Sequence, residues 1–383
     1  MQSQREAAPC KLTPEHLERL HTWIVRFRAA WHLIRKLCLL ACLAYAFLAV
    51  LGMSLIQGLA EHVTVLAVAN YAPPLLWLLP GLLLIPMVLV CRRGGAVFAL
   101  LSVAGWWLLF FSGWKTPEKL SEAVGSGADV LRVITFNRGQ AQRHSLRPFL
   151  AEIGPDVVAL QDARGRSGHY RTDPAYAVFR EVREEGEFVL LSRAMVLQQG
   201  ALTGQNFQDP LGRPVPYGAR WVIDWHGRPV AIYNVHFPSP RRHLGSPGFG
   251  RMLPQLAALV YGGDSQMDAY WRWRVDLAED LAARLRRELL PWILLGDMNT
   301  PPRGVIHSLL LSTGEDLHLK VGGGFGHTFP GDTSNPLALA QPWMRLDYVF
   351  SDRKSWEARW IRLEEAARSQ HLPLAAELIM NAP

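Results

Sequence analysis

Cysteine is scarce in this 383-residue chain: there are 4, and all of them (Cys10, Cys38, Cys42 and Cys91) fall within the first 91 residues. No CxxC pair and no Cys/His zinc spacing occurs, which excludes zinc ribbons and fingers. The long remainder has no thiol at all, so it needs no disulfides and suits an oxidising compartment. Cys38 and Cys42 stand one helical turn apart inside an apolar run and read as packed thiols. A strong charge excess is also missing from most of the chain. Met1 to Trp114 holds 9 Lys+Arg and 4 Asp+Glu, leaving 31 and 29 for everything after it. The overall +7 and pI near 9.4 therefore come mainly from the N-terminal part. The larger part lacks the basic surplus of a duplex-DNA binder. No fixed-period repeat is found. Gly322-Gly323-Gly324-Phe325-Gly326 lacks the Lys and the strand–helix setting of a phosphate loop, and reads as a flexible loop.

What is present first is length without charge. Leu37 to Ile56 carries no charged residue, and 20 residues at about 1.5 Å each cross a hydrocarbon core of about 30 Å. Val63 to Cys91 is a second such run, kinked by Pro73, Pro74, Pro80 and Pro86. Gly94 to Trp114 is a third, ending in the interfacial aromatics Trp106, Trp107, Phe110, Phe111 and Trp114. The first apolar run starts late and two more follow, which argues against a cleaved signal peptide. Arg5, Lys11, Arg19, Arg26, Arg28, Arg35 and Lys36 precede the first run, whereas Glu61 and His62 between the first two have no Lys or Arg beside them. The positive-inside rule places the N-terminus in the cytoplasm and everything after Trp114 outside. Thr13-Pro14-Glu15 reads as a helix start. The helix it opens mixes Trp23, Phe27 and Trp31 with Arg26, Arg28 and Arg35. Two readings stand for it: a segment on the inner membrane surface, or a plain extension of the first span. The organisation expected is 1–36 cytoplasmic and amphipathic, 37–114 three transmembrane helices, 115–128 a linker and 129–383 a catalytic domain.

In that last part apolar runs alternate with turn signals. Val130–Phe136, Val157–Leu160, Phe188–Leu191, Val230–Val235, Trp292–Leu295 and Leu346–Phe350 read as strands. Ser145–Ile153 and Tyr270–Leu290 read as helices, the second with a stripe of Leu277, Leu281, Leu285 and Leu289 that packs on a sheet. Polar residues stand where the strands end. Asn137 follows the first, and Gln161 and Asp162 the second. Asn234 and His236 share one face of the fourth, because side chains alternate. Leu294-Leu295-Gly296-Asp297-Met298-Asn299 ends the fifth, with Asp297 and Asn299 projecting the same way and Gly296 leaving room for a close approach. Asp347 sits in the sixth, and His371 lies in Ser369-Gln370-His371-Leu372-Pro373.

These six blocks, in this order, resemble the endonuclease/exonuclease/phosphatase superfamily with its deoxyribonuclease-I-like fold, over about Leu131 to Leu378. Leu191-Ser192-Arg193, Arg274 and His327-Thr328-Phe329-Pro330 extend the likeness, which is to a membrane-anchored bacterial type. The resemblance implies an α/β four-layer sandwich of two mixed β-sheets flanked by helices, placed after the three-helix transmembrane region. It implies that Asn137 and Asp162 hold a divalent metal, Mg²⁺ or Mn²⁺, as oxygen ligands suit such hard cations. Asp297 would position or deprotonate the attacking water. Asn299 and His236 would bind phosphoryl oxygens. His371 would act with Asp297 across the scissile phosphate, and Asp347 would orient it. Asn234, Arg193 and Gln370 fall on the substrate side.

Two positions depart from the pattern. Asp162 stands for the usual Glu, one methylene shorter, and Gln370 for the usual Asp before the closing His. With Asp162 the metal would have to move or be held partly through water, and Gln370 removes one negative charge, which weakens cation binding or favours a more anionic substrate such as a pyrophosphate. The expected function is a metal-dependent phosphoesterase of the bacterial cytoplasmic membrane, acting outside it on a phosphate-containing and lipid-linked envelope substrate held near the bilayer. Two alternatives stay open. One is an extracytoplasmic nuclease, with Arg241-Arg242-His243 and Arg284–Arg287 as phosphate contacts. The other is a non-catalytic binding protein that kept the fold, for which Gln370 speaks. The segment Ser239–Gln266, rich in Gly and Pro, is expected to overhang the site.

Overall fold

The computed structural model describes residues 13–116, 129–139, 146–208, 214–240, 265–331, 342–364 and 369–382. Most of the expected linker, the first twelve residues, Ser145 at the expected helix start, and 241–264 of the overhanging segment with Arg241, Arg242 and His243 lie outside these. The chain forms two compact units, residues 1–52 with 75–107 and residues 53–74 with 108–383.

The first unit is helical. Helix α1 (Pro14–Leu59) starts where Thr13-Pro14 predicts, and the His16 amide donates to Thr13 Oγ1 at 3.4 Å. Trp23 and Phe27 stack at 5.3 Å in its early turns, and the helix runs unbroken from the amphipathic start into the first apolar run. The run Val63–Cys91 is not one kinked helix. It gives a short α2 (Thr64–Asn70), a break, and α3 (Leu79–Cys91), followed by α4 (Gly94–Trp106). Pro73 and Pro74 explain the break: each lacks an N–H, and the residue before a proline is pushed out of the helical region. Three helices, Pro14–His62, Pro74–Cys91 and Gly94–Phe111, are long and apolar enough to cross a membrane. Cys38, Cys42 and Cys91 are buried free thiols packed with Ala96 and Ala99, as an apolar environment favours.

The second unit is a sandwich of two six-stranded mixed sheets. The strands are β1 (Val130–Asn137), β2 (Val157–Gln161), β3 (Glu181–Glu185), β4 (Phe188–Ser192), β5 (Met195–Gln208), β6 (Pro214–Trp225), β7 (Arg228–His236), β8 (Trp292–Asp297), β9 (Glu315–Asp316), β10 (Asp347–Ser351), β11 (Trp356–Leu363) and β12 (Leu374–Met380). Their orders are β11-β12-β1-β2-β4-β3 and β5-β6-β7-β8-β10-β9. Among the described residues, only β1–β2 and β7–β8 pair in parallel. Helices α5 (Arg147–Ile153) and α6 (Ser167–Thr172) follow β1 and β2, and α7 (Ser265–Arg287) precedes β8. Two more helices, α8 (Gly304–Leu311) and α9 (Leu317–Val321), flank β9.

Side-chain alternation builds the layers. Leu131 and Val133 of β1, Val157 and Ala159 of β2, Val230 and Ile232 of β7, and Ile293 and Leu295 of β8 meet in one core between the sheets. The alternate residues face outward. Ile134, Phe136, Val158 and Leu160 pack beneath Phe149, Leu150 and Ile153 of α5. Ala231, Tyr233 and Leu294 pack beneath Leu277, Leu281 and Leu285 of α7. Leu289, expected as the end of that leucine stripe, is 96% exposed, because α7 stops at Arg287 and the stripe stops with it.

The Gly322–Gly326 loop is a packed wrap rather than a free one. A Cβ at Gly326 would fall within 2.5 Å of the His318 ring, and Gly324 pairs with Lys115 in an isolated bridge. Only glycine lets the chain close so tightly around a buried imidazole.

Candidate functional site

The same alternation that fills the core also makes a site. Following the inward rows toward one edge, Val133 gives way to Thr135 and Asn137, and Ala159 to Gln161. Ile232 gives way to Asn234 and His236, and Leu295 to Asp297. The register brings these ends together, since Asn137 pairs with Gln161, His236 with Asp297, and Asp347 with Asp297. The parallel pairs are decisive here, because parallel strands end at the same edge.

Gln161, Thr135 and Asn234 form a polar layer that closes the core. Gln161 Nε2 donates to Asn234 Oδ1 at 2.6 Å and to Thr135 Oγ1 at 3.0 Å. Asn234 Nδ2 donates to the Leu160 carbonyl at 3.0 Å. Asn234 is thus fully buried with both ends of its amide engaged, and it ties one sheet to the other rather than facing a substrate.

Beyond this layer lies a cluster centred on Asp297. Its Oδ2 accepts from Asn137 Nδ2 at 2.8 Å and lies 3.6 Å from Nε2 of both His236 and His371. Its Oδ1 accepts from the Asn299 amide at 2.7 Å. Asn299 Nδ2 donates to the Phe237 carbonyl at 2.9 Å and to Asp297 Oδ2 at 3.1 Å, so both its N–H groups are committed to holding the loop. Gly296 permits this geometry: it has φ 142°, and a Cβ there would stand 2.0 Å from the Val235 carbonyl oxygen. Asp162 and Asn299 both adopt positive φ, 52° and 44°, a conformation that Asp and Asn tolerate better than most residues. The Asp347 and Leu346 amides donate to Thr328 Oγ1, which fixes the start of β10.

Each imidazole has its own carboxylate. His371 Nδ1 lies 2.9 Å from Asp347 Oδ2, and His236 Nδ1 lies 2.8 Å from Glu187 Oε1. Burial pulls the His236 pKa down, but Glu187, Asp297 and Asp162 outweigh it and raise it to about 9. Burial likewise opposes charge on His371, and the Asp347 and Asp297 carboxylates overcome it, so its pKa is raised. Burial pushes the Asp347 carboxyl up, against the pull of the His371 imidazolium. Both imidazoles are thus biased toward the protonated form, with Nε2 of each 3.6 Å from Asp297 Oδ2.

The remaining expected residues divide. Asp162 is half-buried behind Asn137 in sequence order, and its carboxylate has no hydrogen-bond or ion-pair partner among the described residues. Gln370 is half-buried with its Cβ 3.9 Å from where a Gly139 Cβ would lie, so it borders the Asn137 loop, and its carbonyl accepts from the Gly331 amide. Arg193 is not at the site. It follows Ser192, which pairs with Val157 at the opposite end of β2, roughly 13 Å from Gln161 at about 3.3 Å per residue. Its guanidinium lies 4.0 Å from Asp156. Glu187 was missed by sequence reasoning. Its signal is an acidic residue directly after the Gly186 turn and before the apolar Phe188–Leu191 strand.

The donor set fits a hard cation. Among the described residues, Asn137 Oδ1 accepts the Gly139 amide alone, at 2.8 Å, and the Asp162 carboxylate has no hydrogen-bond partner. Asp347 Oδ1 is buried without a hydrogen-bond partner. Asp297, Asp347 and His371 also offer one ligand atom each within 4.8 Å of one another. Oxygen-rich surroundings of this kind suit Mg²⁺ or Mn²⁺.

The sequence pattern of the Endonuclease/Exonuclease/phosphatase family matches residues 132–371. No curated protein matches the chain closely enough to count as a relative. Among solved structures, a humanized D. rerio TDP2 is 15% identical, with 67% of this chain and 100% of that one covered at a TM-score of 0.45. A 3′ phosphatase NExo from Neisseria bound to a product DNA hairpin is 15% identical, covering 64% and 98%, TM-score 0.45. An endonuclease/exonuclease/phosphatase protein from Beutenbergia cavernae is 18% identical, covering 66% and 72%, TM-score 0.43.

Proposed function

The chain belongs to the endonuclease/exonuclease/phosphatase family, and on that premise we propose that it is a membrane-anchored, metal-dependent phosphoesterase acting on a lipid-linked phosphate or pyrophosphate outside the cytoplasmic membrane. The observation that carries the reading is the Asp297 carboxylate with Nε2 of two imidazoles at 3.6 Å. A water bound there meets a base on one side and two cationic N–H donors on the others. Asn137 and Asp162 are the residues that would hold Mg²⁺ or Mn²⁺, with Gln370 at their border. A divalent cation in that position neutralises charge on the phosphoryl oxygens.

This chain's own residues supply the rest. Asp297 takes the proton of the attacking water, and Asn137 and Asn299 keep its carboxylate aimed. His236, kept protonated by Glu187, donates to a phosphoryl oxygen. His371, kept protonated by Asp347, does the same and can return a proton to the leaving oxygen. Asn299 serves this scheme as a holder of Asp297, since its amide donors are already used.

The lipid-linked substrate is favoured by chain reach. Arg303 Nη1 donates to the carbonyl of Phe111, the last residue of the third membrane-length helix, at 3.0 Å. Asn299 is four residues from Arg303, a distance of at most about 14 Å at about 3.6 Å per residue. This short reach supports the reading of a substrate held near the bilayer. The basic residues ahead of the first span favour the outward orientation.

The test is phosphate release by the full chain in mixed micelles with Mg²⁺, using a polyprenyl pyrophosphate, a phospholipid monophosphate and supercoiled plasmid. Release from a lipid, abolished by EDTA and by Asp297→Ala, supports the proposal. Plasmid nicking without lipid hydrolysis favours the nuclease reading. Normal release by Asp297→Ala removes the proposal altogether. Activity that appears only after Gln370→Asp makes the native chain a binding protein.

A further inference from the structure

The segment between the first two membrane-length helices is not a free loop. Residues 53–74 belong to the same compact unit as the sandwich. Within that unit they grip the chain leaving Asp297 at two places. At the far place, Glu61 Oε2 accepts from the Val305 amide at 2.6 Å, at the start of α8. Arg303 donates from Nε to Asn70 Oδ1 at 3.1 Å and from Nη2 to the Asn70 carbonyl at 3.0 Å.

The near place is at the catalytic loop itself. Arg274 of α7 is fully buried, and its Nη2 donates to the Met298 carbonyl at 3.1 Å, the Asn299 carbonyl at 2.8 Å and Thr300 Oγ1 at 2.7 Å. Its Nη1 donates to the Tyr71 hydroxyl at 2.5 Å, and that hydroxyl donates onward to the same Asn299 carbonyl at 2.6 Å. The Tyr71 ring packs against Trp271 with centroids 5.7 Å apart. Asn299 sits at φ 44°, where its amide reaches Asp297 Oδ1. A residue in that conformation persists only if its surroundings over-determine it. The carbonyl that Tyr71 and Arg274 share is the outer handle on that conformation, and Asp297 is the inner one.

We propose that Tyr71, supplied by the segment joining two membrane-length helices, is a positioning residue for hydrolysis. With Arg274 it fixes the Asn299 carbonyl, and so aims the Asn299 amide and the Asp297 carboxylate. Residues 53–74 then help complete the active site of the unit they belong to. This rests on the reading of Asp297 as the catalytic carboxylate, so Asp297→Ala is run beside every variant.

The experiment uses the full chain in nanodiscs, with the lipid substrate that supports release and, independently of activity, amide hydrogen exchange. Tyr71→Phe keeps the ring packing and removes only the hydroxyl. The expected result is a kcat lowered on the order of tenfold, with KM within twofold of the parent. Exchange in the Gly296–Thr300 peptide should rise while that of β2 does not. A kcat per folded molecule within twofold of the parent and unchanged loop exchange overturn the proposal, even if the melting temperature falls. Should Tyr71→Phe fail to fold, Thr300→Val loosens the same clamp from the loop side. It must show the same kcat loss and local exchange, and wild-type values overturn the proposal. If Asp297→Ala retains activity, the catalytic reading fails instead, and the exchange result still decides whether Tyr71 holds the loop.

Discussion

His318 is a buried histidine kept neutral by its surroundings, and its removal should change how the protein responds to acid. Burial is the main cause of its depressed pKa, with the nearby Arg345 guanidinium adding to it, and the pKa falls from 6.5 to about 4. The folded protein therefore binds fewer protons than the unfolded chain between those values, so stability rises with pH across that window. The contribution is complete above about pH 6.5 and is lost as pH falls toward 4. At about 1.4 kcal/mol per pKa unit, the loss is roughly 3 kcal/mol. His318 is 4% exposed, so solvent screening takes little from that figure. For a domain of this size it corresponds to roughly 10 °C in melting temperature. The assay is the melting temperature of the full chain in detergent at pH 7.0, 6.0, 5.0 and 4.5, for the parent and for His318→Asn. The variant will be less stable at neutral pH, because the ring fills the space under Gly322 and Gly326. Its melting temperature should nevertheless fall less steeply with acid, by most of that 10 °C. Parallel curves would refute the argument and leave His307 and His327, also depressed by burial, to carry the acid response.

Further outcomes follow from the site. Glu187→Gln removes the carboxylate that helps hold the His236 pKa near 9, so the basic limb of the kcat/KM profile at fixed Mg²⁺ should move to lower pH. An unmoved limb means that His236 is not the group titrating. Gly296→Ala places a methyl 2.0 Å from the Val235 carbonyl at φ 142°, and should cost more than about 4 kcal/mol. Recovery of folded protein at parental yield and melting temperature would contradict that contact. Gln370→Asp adds a carboxylate beside the Asn137 loop and should lower the Mg²⁺ concentration for half-maximal activity. A titration midpoint that does not move separates position 370 from the cation.

The sandwich was legible because its central strands are apolar on both faces. Val157–Gln161, Phe188–Ser192 and Trp292–Asp297 are buried throughout, and short uninterrupted runs announce such strands. The strands β3, β5, β6, β9, β11 and β12 were not read. Those at the edges carry Arg, Glu and Gln on an exposed face, as in Glu181–Glu185 and Trp356–Leu363, and their pairing depends on partners distant in sequence. Asn137, His236, Asp297 and Asp347 were legible for a different reason: period-2 alternation puts each on the inward face at the strand end where apolar residues stop. His371 stands in a bend before β12, outside any strand, and was read from its Ser369-Gln370-His371-Leu372-Pro373 setting alone. Asn234 shares that parity but lies one step deeper, in the layer that closes the core, and Arg193 lies at the wrong end of its strand. Tyr71 was hidden because an apolar, uncharged segment reads as membrane span whether it crosses a bilayer or docks on a domain. Only Pro73-Pro74 hinted at the difference.

The charges at the site bear on what it binds. Asp162, Glu187, Asp297 and Asp347 bring four carboxylates to one edge, and His236 and His371 bring two imidazoles. With both imidazoles protonated and the carboxylates ionised, the edge remains negative, and a phosphate anion entering it alone would be repelled. Raising the imidazole pKa values offsets only part of this, because each proton gained is already shared with Glu187 or Asp347. A divalent cation beside Asp162 would cancel that excess. Gln370 works in the same direction, since an amide at that position leaves one carboxylate fewer to balance. On the function proposed above, a cradle short of one carboxylate would hold its cation less tightly and leave more room for substrate charge. A pyrophosphate, which can bring its own affinity for Mg²⁺, fits that combination better than a diester does. If a simple phosphodiester proves the better substrate at equal Mg²⁺, the link from the missing carboxylate to substrate charge is wrong, whatever the fate of the catalytic assignment.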